Sequence, residues 1–136
     1  MSGITTHVLD AVLGKPATGV SVRLDKRLDQ PEPDRRADPS EAAVQIGLAG
    51  LDDGEPDRWT TVGEGATDAD GRCRVLAKNA APGRYRLTFK TGAYLAQTGR
   101  ASIYPEISIT FDCDGGTHYH LPLLLSDNSY ITYRGS

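Results

Sequence analysis

Most of the features that announce a mechanism are scarce in this chain. Its 136 residues hold two cysteines, Cys73 and Cys113, at a spacing that fits neither a C-x-x-C redox motif nor a zinc site. In a chain with no export signal, two such cysteines read as reduced thiols rather than as a disulfide framework. Aromatics are few, with one tryptophan and two phenylalanines, so the core must come largely from aliphatic side chains. Hydrophobic residues make up 38%, enough for the one domain expected of this length. No apolar run approaches the ~20 residues that a membrane helix requires. The opening Met1-Ser2-Gly3-Ile4 has neither the basic nor the apolar region of a signal peptide, which makes the cytoplasm the expected compartment. Positive charge is not in excess. A net charge of −3 argues against a nucleic-acid partner. There is no P-loop, dinucleotide fingerprint or nucleophile elbow.

The charge that is present is unevenly placed. Residues 29–57 carry nine acids against Arg35 and Arg36, a balance of −7, so the remainder carries +4. The same stretch holds Pro31, Pro33, Pro39 and Pro56. That composition predicts a surface excursion or a partly disordered loop at about 28–57, with Ser40 as N-cap for a turn or two of helix up to Leu48. A mildly basic body suits an anionic small molecule better than a polyanion.

Elsewhere the pattern is period two. Val20-Ser21-Val22-Arg23-Leu24 alternates apolar and polar, and Tyr85, Leu87 and Phe89 share one face of Arg84–Lys90. Ile103–Phe111 and Trp59–Val62 read as further strands, and Thr67-Asp68-Ala69-Asp70-Gly71-Arg72 as a turn with Gly71 at positive φ. Residues 92–99, with glycine at each end, predict one short helix. Short strands divided by turns indicate an all-β antiparallel sandwich.

Chemistry concentrates at the two ends. The three histidines are His7, near the start, and His118 and His120, near the end. On a strand His118 and His120 point one way while Tyr119, Leu121, Leu123 and Leu125 point into the core. Two outward histidines can be ordinary solvated side chains. They can also be two zinc ligands with His7 as a third, although no carboxylate or cysteine clusters near them in sequence. Arg72 follows the Asp-Gly turn, and Arg134 stands in a tail that ends at Ser136; each alone reads as a solvated surface group. Tyr104, Tyr130 and Tyr133 read as core or interface aromatics.

Several segments, taken in order, belong together: Thr5-Thr6-His7-Val8-Leu9-Asp10, Gly14-Lys15-Pro16-Ala17, Thr67-Asp68-Ala69-Asp70-Gly71-Arg72-Cys73, Gly83–Phe89, Tyr104-Pro105-Glu106, His118-Tyr119-His120-Leu121-Pro122-Leu123, and Tyr133-Arg134-Gly135-Ser136. The chain resembles the transthyretin-related protein family, and within it the 5-hydroxyisourate hydrolases, from about residue 4 to 27 and from about 58 to the end. The link at 28–57 is longer than the family's usual one. The resemblance implies a transthyretin-like sandwich of two antiparallel sheets with one short helix. It also implies a homotetramer, a dimer of dimers, with substrate sites in the channel where dimers meet. The reaction implied is hydrolytic opening of the six-membered ring of 5-hydroxyisourate. The family's functional residues carry over to His7, Arg72 and His120 as catalytic groups, and to His118, Tyr133, Arg134 and Ser136 as binding groups alongside His7 and Arg72. No metal and no organic cofactor is implied. A non-catalytic small-ligand carrier on the same fold is the alternative, and a metal-binding or structural sandwich using His118 and His120 is a second one.

Overall fold

A computed structural model describes residues 3–28 and 58–135. The chain runs through nine strands and one helix among these residues: β1 (Ile4–Asp10), β2 (Lys15–Pro16), β3 (Ser21–Arg27), β4 (Trp59–Ala66), β5 (Arg72–Ala77), β6 (Gly83–Phe89), α1 (Thr91–Gln97), β7 (Ile107–Cys113), β8 (Tyr119–Leu125) and β9 (Tyr130–Thr132). They form two sheets. One has the order β4-β3-β6-β7, all antiparallel. In the other, β1 is central: β5 and β2 share one of its edges, β8 lies along the other, and β9 flanks β8.

The β1–β8 pair is parallel, with Ile4 opposite Tyr119, Thr5 opposite His120 and Asp10 opposite Leu125. A parallel pair needs a long crossover. Here nearly the whole chain intervenes, and the result is that the two ends lie side by side. Both strands alternate as their sequences require. Ile4, Thr6, Val8 and Asp10 are buried from β1, and Tyr119, Leu121, Leu123 and Leu125 from β8. They meet Val22, Leu24, Leu87 and Phe89 of the facing sheet in one core. Each such aliphatic contributes about 1.5–3 kcal/mol by leaving water.

Helix α1 buries Thr91, Tyr94 and Leu95, spaced as one helical face. It occupies 91–97 rather than 92–99, because Gly99 at φ 75° ends it. The third expected strand also begins later, at Ile107. Pro105 lacks the N–H a ladder needs, and Ile103 stands 75% exposed. Cys73 and Cys113 are both buried thiols. The acidic stretch and the helical turn expected after Ser40 lie outside the described residues. Among the described residues, no helix is long and apolar enough to cross a membrane.

Candidate active site

The site is built on the outer face of β5, β1 and β8, from side chains that the core cannot take. Thr5, His7 and Leu9 are the outward residues of β1. His120 is outward on β8, directly opposite Thr5, and His7 pairs with Arg72 at the start of β5. The β1–β5 register slips between Ile4 and Thr6, a bulge that lies beside Thr5. A shallow cavity of ≈ 530 Å³ is lined by Thr5, Thr6, Arg72, Arg74, His118 and His120.

The turn before β5 aims two of these groups. The Asp68 carboxylate accepts the backbone N–H of Asp70 at 2.9 Å and of Arg72 at 3.0 Å. The Arg72 N–H is the main cause of its depressed pKa, against a smaller opposing effect of desolvation. Gly71 makes the turn possible: its φ is 76°, and a Cβ there would come within 2.3 Å of the Val8 carbonyl. The Arg72 backbone is thereby fixed, and its side chain lines the cavity. The Asp70 carbonyl accepts a hydrogen bond from His7 Nε2 at 2.8 Å. A carbonyl only accepts, so neutral His7 carries its proton on Nε2 and leaves Nδ1 as its basic nitrogen.

On β8, Thr5 Oγ1 lies 3.1 Å from His118 Nε2 and 2.9 Å from His120 Nδ1. His120 Nε2 is left as the ring nitrogen open to a substrate. The His120 pKa is lowered, first by burial and then by the positive charge of Arg72, His7 and His118. A lowered imidazole pKa keeps His120 neutral, and hence basic, at neutral pH. The C-terminal tail folds back over it. The Gly135 N–H donates to the His120 carbonyl at 2.7 Å, and a Cβ on Gly135 would meet His120 Cδ2 at 2.8 Å. Only glycine lets the tail lie this close to the ring.

Within one subunit, then, His7, Arg72, His118 and His120 come together on one face. Arg134 points elsewhere. Its guanidinium lies 4.3 Å from the centre of the Tyr119 ring and donates to Thr117 Oγ1 at 3.2 Å. Tyr133 is exposed, and Ser136 lies outside the described residues. Thr5 and Arg74 belong to the cavity although no sequence motif singles them out. Thr5 is two residues before His7 on a strand, so the alternation that puts His7 outward puts Thr5 there too. Among the described residues, no three His, Cys, Asp or Glu side chains are placed so that they could hold one metal ion.

Two facing sheets with one helix, and a histidine–arginine face at the joined chain ends, define a transthyretin-like sandwich whose site is equipped for acid–base chemistry. The model of the HIUase/Transthyretin family matches residues 4–135, and the chain belongs to that family. A 5-hydroxyisourate hydrolase of Salmonella dublin is 38% identical over 98% of this chain and 80% of its own length. Among solved structures, the Klebsiella pneumoniae 5-hydroxyisourate hydrolase is 32% identical with a TM-score of 0.71, over 100% of both chains. The transthyretin of Sparus aurata is 26% identical with a TM-score of 0.75, over 99% of this chain and 97% of that one.

Proposed function

We propose that this chain hydrolyses 5-hydroxyisourate, opening its six-membered ring to give 2-oxo-4-hydroxy-4-carboxy-5-ureidoimidazoline in urate degradation. The observation that carries this reading is the convergence of His7, His120 and Arg72 on one outward face, with one ring nitrogen of each imidazole left open. His120 Nε2 takes a proton from water as its oxygen attacks the ring carbonyl. Arg72 orients the flat, oxygen-rich substrate and holds the negative charge that develops on the oxygen of the attacked carbonyl. His7 Nδ1 positions the water or serves as a second acceptor. The ring C–N bond then breaks, and its nitrogen takes back a proton. The residues use no metal and no organic cofactor in this scheme.

The site works in a homotetramer, a dimer of dimers, with Tyr133, Arg134 and Ser136 closing the pocket and His118 standing behind His120. Support comes from the outer face itself. Beyond the polar patch it continues through the half-buried Leu9 and Leu124 to Ile131, which pairs with Leu124 and is 62% exposed. An open apolar strip beside an open catalytic face calls for a covering partner. We further take residues 1–136 as one domain, with the acidic stretch at 28–57 as a surface insertion, working in the cytoplasm.

A coupled ultraviolet assay tests the reaction. Urate oxidase generates 5-hydroxyisourate in place, and its decay is followed with and without the protein. Decay well above the spontaneous rate, abolished in His120→Asn and in His7→Asn while both variants stay folded and assembled, is the expected result. Wild-type turnover by either variant overturns that residue's role. The similarity of the sandwich to a transthyretin supports a second reading, a non-catalytic small-ligand carrier. Decay at the spontaneous rate from a well-assembled protein would bring that reading forward.

A further inference from the structure

The bond pattern at Thr5 constrains proton positions beyond what the reaction scheme uses. One hydroxyl contacts His118 Nε2 and His120 Nδ1 at hydrogen-bond distance. A threonine hydroxyl has one proton to donate and lone pairs to accept with. When both rings are neutral, it can donate to one ring nitrogen only, and the other nitrogen must bring its own proton. Two arrangements satisfy all three groups. In one, His120 Nδ1–H donates to Thr5 and Thr5 donates to His118 Nε2. In the other, both protons run the opposite way. The first leaves His120 Nε2 bare and basic; the second leaves it protonated. We infer that Thr5 is a positioning residue that holds His120 in its basic tautomer and relays a proton from His120 to His118. The inference rests on the hydrolytic reading above.

Several features of the fold favour this direction of transfer. His118 is exposed, whereas His120 is half-buried under the tail. Charge on His120 would face Arg72 from β5 and His7 from β1, while Arg74 is turned to Asp68 and Asp70 and Arg134 of the tail is held on Tyr119. Moving the charge to His118 carries it toward water. The step balances. As water attacks, its proton goes to His120 Nε2, the Nδ1 proton goes to Thr5 Oγ1, and the hydroxyl's own proton goes to His118 Nε2. The hydroxyl is restored, and the chain reverses when the leaving ring nitrogen is protonated. The β-bulge beside Thr5 sets its side chain at this junction, and parallel pairing sets it opposite His120.

Two measurements test the relay on the assembled protein. The first needs no variant: nitrogen-15 NMR of the imidazoles in the wild type at a pH above both titrations. Both rings protonated on Nδ1 is the expected result; rings of unlike tautomer, or both on Nε2, overturn the inference. The second compares Thr5→Val, which keeps shape and loses the hydroxyl, with Thr5→Ser, which keeps it. Thr5→Val should lower kcat by at least about tenfold, a floor set below the ~10²–10⁴-fold of a full acid–base group, with KM little changed and the acid limb of the pH profile displaced. Thr5→Ser should restore most of both. Thr5→Val with wild-type kcat and profile overturns the relay while leaving the hydrolytic reading intact. That reading fails separately, by full turnover in His120→Asn.

Discussion

At the scale of single residues, the site depends on which nitrogens are already occupied. Asp70 takes one nitrogen of His7 and Thr5 one of His120, so each ring presents a single defined face to substrate. The lowered pKa of His120 sets the pH response. Burial and then the surrounding positive groups disfavour its charged form, so the folded protein binds this proton less readily than the unfolded chain does. The neutral base is therefore fully present above the ordinary histidine value and lost as pH falls through the depressed one. The acid limb of kcat/KM should have its midpoint below ~6.5, the unperturbed value. A pH–rate profile whose acid limb falls at or above that point would contradict the assignment of His120 as the base. His7, Arg72, His118 and His120 stand out in the sequence through the family resemblance, since by type each reads equally well as a solvated side chain. Thr5 does not, because a threonine in a strand has an ordinary packing reason to be there and its partner is more than a hundred residues away.

At the scale of elements, β1 carries Thr5 and His7 of the site, and a buried ionic cluster anchors its far end at Asp10. Asp10, 1% exposed, closes β1. Its carboxylate accepts from Arg100 Nη2 at 2.7 Å and Nη1 at 3.2 Å, from the Tyr94 hydroxyl at 2.8 Å, and from the N–H groups of Val12 and Leu13 at 3.1 Å each. Burial alone would raise the Asp10 pKa, but the bonds from Arg100, Leu13 and Tyr94 together outweigh it and hold it below the usual carboxylate value. Burial, followed by the bond to Asp10, pushes the Tyr94 hydroxyl up to about 12. The cluster ties β1 to α1 and to Arg100 just beyond it. Removing one partner leaves a buried charge uncompensated, so Arg100→Ala should cost about 3–5 kcal/mol. A depressed acid contributes stability above its unfolded pKa and loses it as pH falls through the folded one. The gap between wild type and Arg100→Ala in urea unfolding should thus be full at pH 7 and close only in the acid range below the unfolded value of 3.8. A gap under about 1 kcal/mol at pH 7, the level of an exposed pair, would show that the cluster is not holding the strand. The elements themselves were unevenly legible. Strands β3 and β6 follow strict alternation over a continuous core and were read from it. Strand β5 escaped because its bulge against β1 breaks the phase. Strand β4 runs to Ala66 through Gly63 and Gly65, residues that propensity places outside strands. Gly63 is required there because its backbone passes close to the Leu76 carbonyl, where a Cβ would fall at 2.1 Å.

At the scale of the whole molecule, the parallel pairing of β1 with β8 turns a sequence-distant arrangement into a site, and the same sheet carries the surface through which copies would meet. Exposed Val12 and Leu13 follow β1, whose continuation donates from Ala11 to the Leu125 carbonyl. Ile103, tied through its N–H to Asn128, and Tyr130, paired with Leu125, gather at the same end of β8. Ile131 joins this apolar end to the histidine face through Leu124. A charge placed at Ile131 would have to be buried if subunits pack there, and burying an unpaired carboxylate is costly, whereas on a free monomer it would be harmless. Ile131→Glu should accordingly leave the fold intact by circular dichroism. Light scattering behind size exclusion should show a smaller species than the wild type gives, and the turnover of 5-hydroxyisourate should fall in the same sample. An Ile131→Glu protein that keeps both its mass and its turnover would place the subunit contacts on another face. One that loses mass but keeps turnover would show that the smaller species holds a complete site without the contacts made through Ile131.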